Sequence, residues 1–279
     1  MPSTLDNQIA KIQKQLAAKK TKEKKASNPN AEAVGRCLAN NTVTRSHSLS
    51  RAYYRFTIGE KRIMEALVSR LHPMRNDNEL QDIELSATDY AKTYSVAKNH
   101  AYGDLATAAK GLMGKIITSN EPPYIVDTTL MIQSKYHENE GRIVCTLNPL
   151  IVPQLIGIRG KFNSYPLVRA LDFKSSYTWR MYELLVSWAQ PKKDVGGVFC
   201  GWFEVETTEL RKMLGVPDSY NQGRFTKAVI EHVINELNQK ADIRLKLEPK
   251  KTSRRITSYR VTFAENEQQQ LPLEGGVES

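Results

Sequence analysis

IELSATDYAKTYSV, residues 83–96, and FEVETTELRKMLGV, residues 203–216, are two copies of one pattern set 120 positions apart. Glu84 matches Glu204, Thr88 matches Thr208, Lys92 matches Lys212 and Val96 matches Val216. Leu85 pairs with Val205, Asp89 with Glu209, and Tyr90 and Tyr94 with Leu210 and Leu214. In each copy a short alternating run predicts a strand, and a Ser or Thr then caps a helix. The caps are Ser86 in the first copy and Thr207 or Thr208 in the second.

The register continues beyond the quoted stretches. Turns are expected at 95–97 and 215–221, followed by second helices over 98–113 and 225–239. Leu105, Ala108, Ala109, Leu112 and Met113 would face inward in one, and Phe225, Ala228, Val229 and Val233 in the other. Strands are expected at 116–118, 124–136 and 142–147, with the polar HENEG at 137–141 turning the last two into a hairpin. The second copy closes with strands at 243–248 and 257–263. Upstream, Thr57 and Glu60 form a capping-box pair ahead of a helix faced by Ile63, Ala66, Leu67 and Leu71, and Pro73 would end it. SSYTWRMYELLVSWA at 175–189 is strongly helical, and a further helix is expected near 149–158.

Two helices joined by a tight turn and followed by a β-hairpin form a winged helix-turn-helix. The fold class expected is therefore α+β, with two tandem winged-helix domains related by an internal repeat. The boundaries read as a basic disordered tail over 1–50, a first domain over 51–158, a connector over 159–171, a second domain over 172–263 and an acidic disordered tail over 264–279. The first tail holds seven Lys in its first thirty residues, beside a possible amphipathic face of Leu5, Ile9, Ile12 and Leu16.

Charge and motif content narrow the function classes. The 279 residues carry a net charge of +10 and a pI near 9.4, a balance that suits a polyanionic partner. The major groove of B-DNA, about 12 Å wide, admits one α-helix. The polar residues at the start of each second helix are then the candidates for base contact: Lys98, Asn99, His100 and Tyr102 in the first copy, and Asn221, Gln222, Arg224 and Lys227 in the second. Amides suit adenine edges and Arg suits guanine, whereas Lys more often meets phosphate. Between Lys240 and Arg260 eight bases face two acids. Within them KKTSRR, at 250–255, places Lys250, Lys251, Arg254 and Arg255 at a hairpin tip suited to backbone phosphates.

Several classes lose support. Cys37, Cys145 and Cys200 are too few and too scattered for a disulfide framework, which favours a reducing cytoplasm, and no C-x-x-C suggests a metal site. The five histidines form no His-hydrophobic-His pair, and no G-x-x-x-x-G-K-[ST] loop is present, so neither a metal-dependent nicking enzyme nor an ATPase is expected. No cofactor is expected either. The longest apolar-leaning run, LNPLIVPQLIGI at 147–158, carries two prolines and is too short to span a bilayer.

Three stretches resemble a known family, the iteron-binding replication initiators of theta-replicating bacterial plasmids. FTIGEKRIMEALVSRL at 56–71 is similar to that family's first helix. SSYTWRMYELLVSW at 175–188 resembles its Tyr-x-x-Arg-x-Tyr-Glu signature through Tyr177, Arg180, Tyr182 and Glu183. RFTKAVIEHVINELN at 224–238, followed by a basic hairpin, resembles its C-terminal recognition region. The resemblance implies a monomer that binds directly repeated origin double-stranded DNA with both domains and helps to open it. It also implies a dimer that represses its own gene at an inverted repeat, with dimerisation through the N-terminal domain and the main base contacts in the C-terminal one. Host partners (an initiator ATPase, a helicase, chaperones) follow from the same resemblance. One departure is Gly223-Arg224-Phe225-Thr226-Lys227, where the family often has an arginine cluster. A dedicated transcriptional repressor remains the alternative, because it too needs only DNA binding.

Overall fold

The computed structural model describes residues 37–71, 82–158, 160–189 and 199–265. The expected amphipathic N-terminal segment, Pro73 and the acidic stretch after Glu265 lie outside these residues. In chain order the elements are β1 (Thr42–Ser46), α1 (His47–Arg51), α2 (Ile58–Ser69), β2 (Asp82–Ser86), α3 (Ala87–Tyr94), α4 (Lys98–Met113), β3 (Ile116–Glu121), β4 (Tyr124–Thr129), β5 (Met131–His137) and β6 (Arg142–Leu147). Then follow β7 (Phe162–Pro166), α5 (Ser176–Trp188), β8 (Cys200–Glu206), α6 (Thr207–Leu214), α7 (Gln222–Phe225), a π-helical turn (Thr226–Ile230), α8 (Glu231–Lys240), β9 (Ile243–Thr252) and β10 (Arg255–Glu265).

The repeat is a repeat of topology. One three-stranded sheet has the order β2-β6-β5 and another β8-β10-β9. In both, the strand before the helix pair lies beside the last strand of the closing hairpin. Apolar alternation drives this: Ile83 and Leu85 point into one core, Phe203 and Val205 into the other. The Ser86 hydroxyl accepts from the Asp89 amide at 3.0 Å and starts α3. Residues in the left-handed region end the first helix of each pair at matching positions, Ser95 (φ 53°) and Gly215 (φ 68°).

The second copy departs from the first in three ways. Neither Thr207 nor Thr208 is the cap of α6: its N-cap residue is Glu206, without a side-chain bond, and the Thr207 hydroxyl donates instead to the Ile256 carbonyl at 3.3 Å. The turn before α7 takes six residues, 216–221, where Val96 and Ala97 suffice before α4. The π-helical turn then holds one extra residue. Leu105 corresponds to Phe225 at a shift of 120, but Ala108, Ala109 and Leu112 correspond to Val229, Ile230 and Val233 at a shift of 121, all of them buried. Ala228, expected inward, is exposed for this reason.

Two stretches expected to lie in a tail and in a connector, 42–46 and 162–166, are strands. β1 pairs antiparallel with β7, Thr42 opposite Pro166 and Ser46 opposite Phe162. Leu38, Val43 and Leu49 are buried with Tyr165 and Leu167. In place of the expected helix near 149–158 there is a short 3-10 turn at Val152–Gln154.

α2 has the expected capping box: the Glu60 carboxylate accepts from the Thr57 amide at 2.8 Å and the Thr57 hydroxyl from the Glu60 amide at 3.2 Å. Its buried face carries charge. Lys61 Nζ lies 2.7 Å from Glu65 and 2.6 Å from Glu183. Arg45 pairs with Glu65, and its Nη1 lies 2.6 Å from Glu183, outside hydrogen-bond alignment. Arg180 reaches Glu183 at 2.6 Å and the Tyr54 hydroxyl at 2.5 Å, and donates to the carbonyls of Ser50 (3.1 Å), Ala52 (2.8 Å) and Met213 (3.0 Å). The Tyr165 hydroxyl donates to Glu65 at 2.8 Å and accepts from Trp179 Nε1 at 3.1 Å. Through Arg180, α5 therefore ties the segment after α1 to the end of α6. Gly215 presses on the same segment: a Cβ there would meet the Tyr54 carbonyl oxygen at 2.5 Å and Arg55 Cα at 3.0 Å, so both its φ and its surroundings require glycine.

Candidate nucleic-acid interface

The rod formed by α7, the π turn and α8 is anchored by Phe225, Val229, Ile230, Val233 and Leu237, all buried. Its opposite face exposes Gly223, Arg224, Lys227, Ala228 and Glu231. Asn221 is the N-cap: its Oδ1 accepts from the Arg224 amide at 2.8 Å. That leaves only its amide nitrogen for an outside acceptor. Gln222 is half-buried, its amide donating to the Tyr259 hydroxyl at 3.0 Å and to Thr226 at 3.3 Å. Of the four residues expected to read bases in this copy, Arg224 and Lys227 stand fully outward, while Asn221 and Gln222 brace the helix start. Ala228 was not foreseen as part of this face. Its methyl group is of the kind that packs on thymine, and only the extra residue of the π turn turns it outward.

In the first copy, Lys98, Asn99 and His100 are exposed on the first turn of α4. Asn99 Nδ2 lies 3.2 Å from His100 Nε2. Tyr102 does not stand free as expected. It is half-buried against the core, and its hydroxyl is enclosed without a hydrogen-bond partner. Asp104 joins the exposed face instead.

The hairpins that close the two three-stranded sheets, β5–β6 and β9–β10, differ in charge. β9 and β10 pair from Arg255 opposite Thr252 inward, so KKTSRR does form the tip, with Ser253 at φ 58°. Lys251, Arg254 and Arg255 are exposed there and make no ion pair among the described residues. Lys250 lies on the outer face of the sheet, 2.5 Å from Glu204, with Arg260 3.9 Å from the same carboxylate. Both cations hold the Glu204 carboxyl below its ordinary range, Lys250 through its hydrogen bond foremost. The first hairpin carries Glu138, Asn139 and Glu140 at its tip, with Arg142 tied to Glu140 at 2.5 Å and to Glu84 at 2.7 Å. An acidic tip repels phosphate, so of these two hairpins β9–β10 is the one whose tip charge suits a phosphate backbone.

Among the described residues, no three His, Cys, Asp or Glu side chains gather where they could hold a metal ion. No helix among them is long and apolar enough to cross a membrane. The fold defines a tandem winged-helix protein, and the second domain exposes Arg224 and Lys227 on one helix face.

Comparison with known proteins places it further. A family model described as "Initiator Replication protein, WH1" matches residues 42–186, and one described as "Initiator Rep protein, WH2" matches residues 206–263. The chain belongs to this family of replication initiators. It is 23% identical over 208 residues to a "Replication initiation protein" of Escherichia coli, an alignment that takes in 73% of this chain and 64% of that relative's length. The fold is also that of the Pi initiator protein, solved in complex with iteron DNA. The TM-score is 0.64 at 18% identity, over 82% of this chain and 99% of that one.

Proposed function

We propose that this protein is a sequence-specific double-stranded DNA-binding initiator of plasmid replication in the bacterial cytoplasm, acting as a monomer on direct repeats at the origin. Its family and its likeness to an initiator solved on iteron DNA support the reading. The observation that carries it is local: Arg224, Lys227 and Ala228 share one exposed face of a core-anchored helix, and the hairpin that closes the same domain exposes Lys251, Arg254 and Arg255 at its tip with no ion pair among the described residues. Arg224 reads a guanine edge, and Lys227 and the tip hold phosphates. Lys98, Asn99 and His100 serve a second, weaker reading head.

Binding and distortion of the duplex, not bond cleavage, are the chemistry this surface offers, so assays for nicking and ATP hydrolysis are expected to be negative. A dimer binding an inverted repeat at its own promoter would make the same surface a repressor, and the opened origin would be the place where a host initiator ATPase and helicase dock. Selection of bound duplexes from a random pool by the full-length chain tests the reading. It should yield a long non-palindromic site bound by the monomer. Recovery of a palindrome alone, bound only by dimers, would leave a dedicated repressor.

A further inference from the structure

The six-residue turn before α7 has no counterpart in the first copy, and it carries an aromatic ring at a specific place. Tyr220 lies beneath Arg224, whose guanidinium carbon sits 4.0 Å from the ring centroid. The Tyr220 backbone is itself tied down at two points. Its amide donates to the Pro217 carbonyl at 3.1 Å. Its carbonyl accepts from Arg211, which in turn lies over the Phe225 ring at 4.8 Å.

A guanidinium resting on a ring uses its face, while its N–H donors lie in the plane of the fork and stay available. A long arginine otherwise loses rotamer freedom when it docks on a base. We propose that Tyr220 is the platform that holds Arg224 in the orientation that reads its base, making Tyr220 a positioning residue for specificity. The inference rests on the placement of Arg224 in the groove proposed above. It also accounts for the unequal heads: Val96 and Ala97 leave the first copy no ring on which to lay Lys98.

The test compares Tyr220→Leu, Tyr220→Phe, Arg224→Ala and the double variant Tyr220→Leu/Arg224→Ala in the full-length chain. Each is used for duplex selection, then titrated with the wild-type site and its single-base variants. Arg224→Ala should lose preference at one base position. Tyr220→Leu should lose about two- to fivefold of the preference at that same position, with affinity for unrelated duplex unchanged. Tyr220→Phe should keep it, and the double variant should be no worse than Arg224→Ala. If Arg224→Ala relaxes one position and Tyr220→Leu does not, the platform is wrong and the groove placement stands. If Arg224→Ala relaxes nothing, both fall. Loss in Tyr220→Phe equal to that in Tyr220→Leu would overturn stacking. Where Tyr220→Leu lowers the thermal midpoint, the double-mutant cycle still decides, because zero coupling between the two sites at that base contradicts the proposal.

Discussion

Glu183 shows how much a single residue carries in this chain. Burial alone would raise its pKa, but Arg45, Lys61 and Arg180 overcome that and hold the carboxyl well below its ordinary range. A depressed folded-state pKa contributes stability that is present above the unfolded value of about 4.3 and is lost as pH falls toward the folded one. Denaturant unfolding should therefore give a midpoint that declines below about pH 5, with Glu183→Gln flattening that decline. An undiminished acid slope in Glu183→Gln would place the titration elsewhere. At neutral pH, Glu183→Ala strands three buried cations with one carboxylate and should cost about 3–5 kcal/mol. None of this was legible from residue type. Arg45 and Lys61 look like surface charges in sequence, and Arg180 and Glu183 were noticed only through family resemblance. Their burial depends on Tyr165 and Tyr54, which arrive from distant positions. Tyr102 and Ala228 both lie on the side opposite to the one expected: Tyr102 packs against the core, and the extra residue of the π turn brings Ala228 outward.

The elements were readable where the cue was local. Capping residues and period placed α2, α3 and α4 closely, and α4 begins and ends where expected, at Lys98 and Met113. β1 and β7 were missed because TVTRS and FNSYP carry few apolar residues and acquire their strand character only from each other, across more than a hundred residues. The π turn was invisible because a single inserted residue leaves composition unchanged. At the second hairpin the structure refines an expectation. Lys251, Arg254 and Arg255 are available for phosphate, whereas Lys250 must first release Glu204. Replacing any one of the first three with Ala should reduce the slope of log K against log salt by about 0.9, with selected sequences unchanged. Lys250→Ala should change it less. A sequence preference altered by these variants would mean that the tip reads bases.

On the scale of the whole molecule, two unequal heads are mounted on one frame. The frame is the segment from Ser50 to Phe56: Arg180 and Gly215 hold it, and Tyr53 donates to Glu209 of α6 at 2.6 Å. The second head has the platform, the extra helical residue and the basic hairpin. The first has exposed Lys98, Asn99 and His100 and an acidic hairpin tip. The duplication was plain in sequence and the inequality only partly so, because charge at 250–255 can be counted while a ring under an arginine cannot. A single polypeptide with two such helices should engage two stretches of major groove on one duplex, about one helical turn (roughly 34–36 Å) or a multiple apart. Protection of guanine N7 from methylation, measured with the monomer on its selected duplex, tests this most directly. The account predicts two protected groove segments so spaced, the stronger one lost in Arg224→Ala and the weaker in Lys98→Ala/Asn99→Ala. A single protected segment, or two that appear only when a second copy of the chain binds, would contradict it.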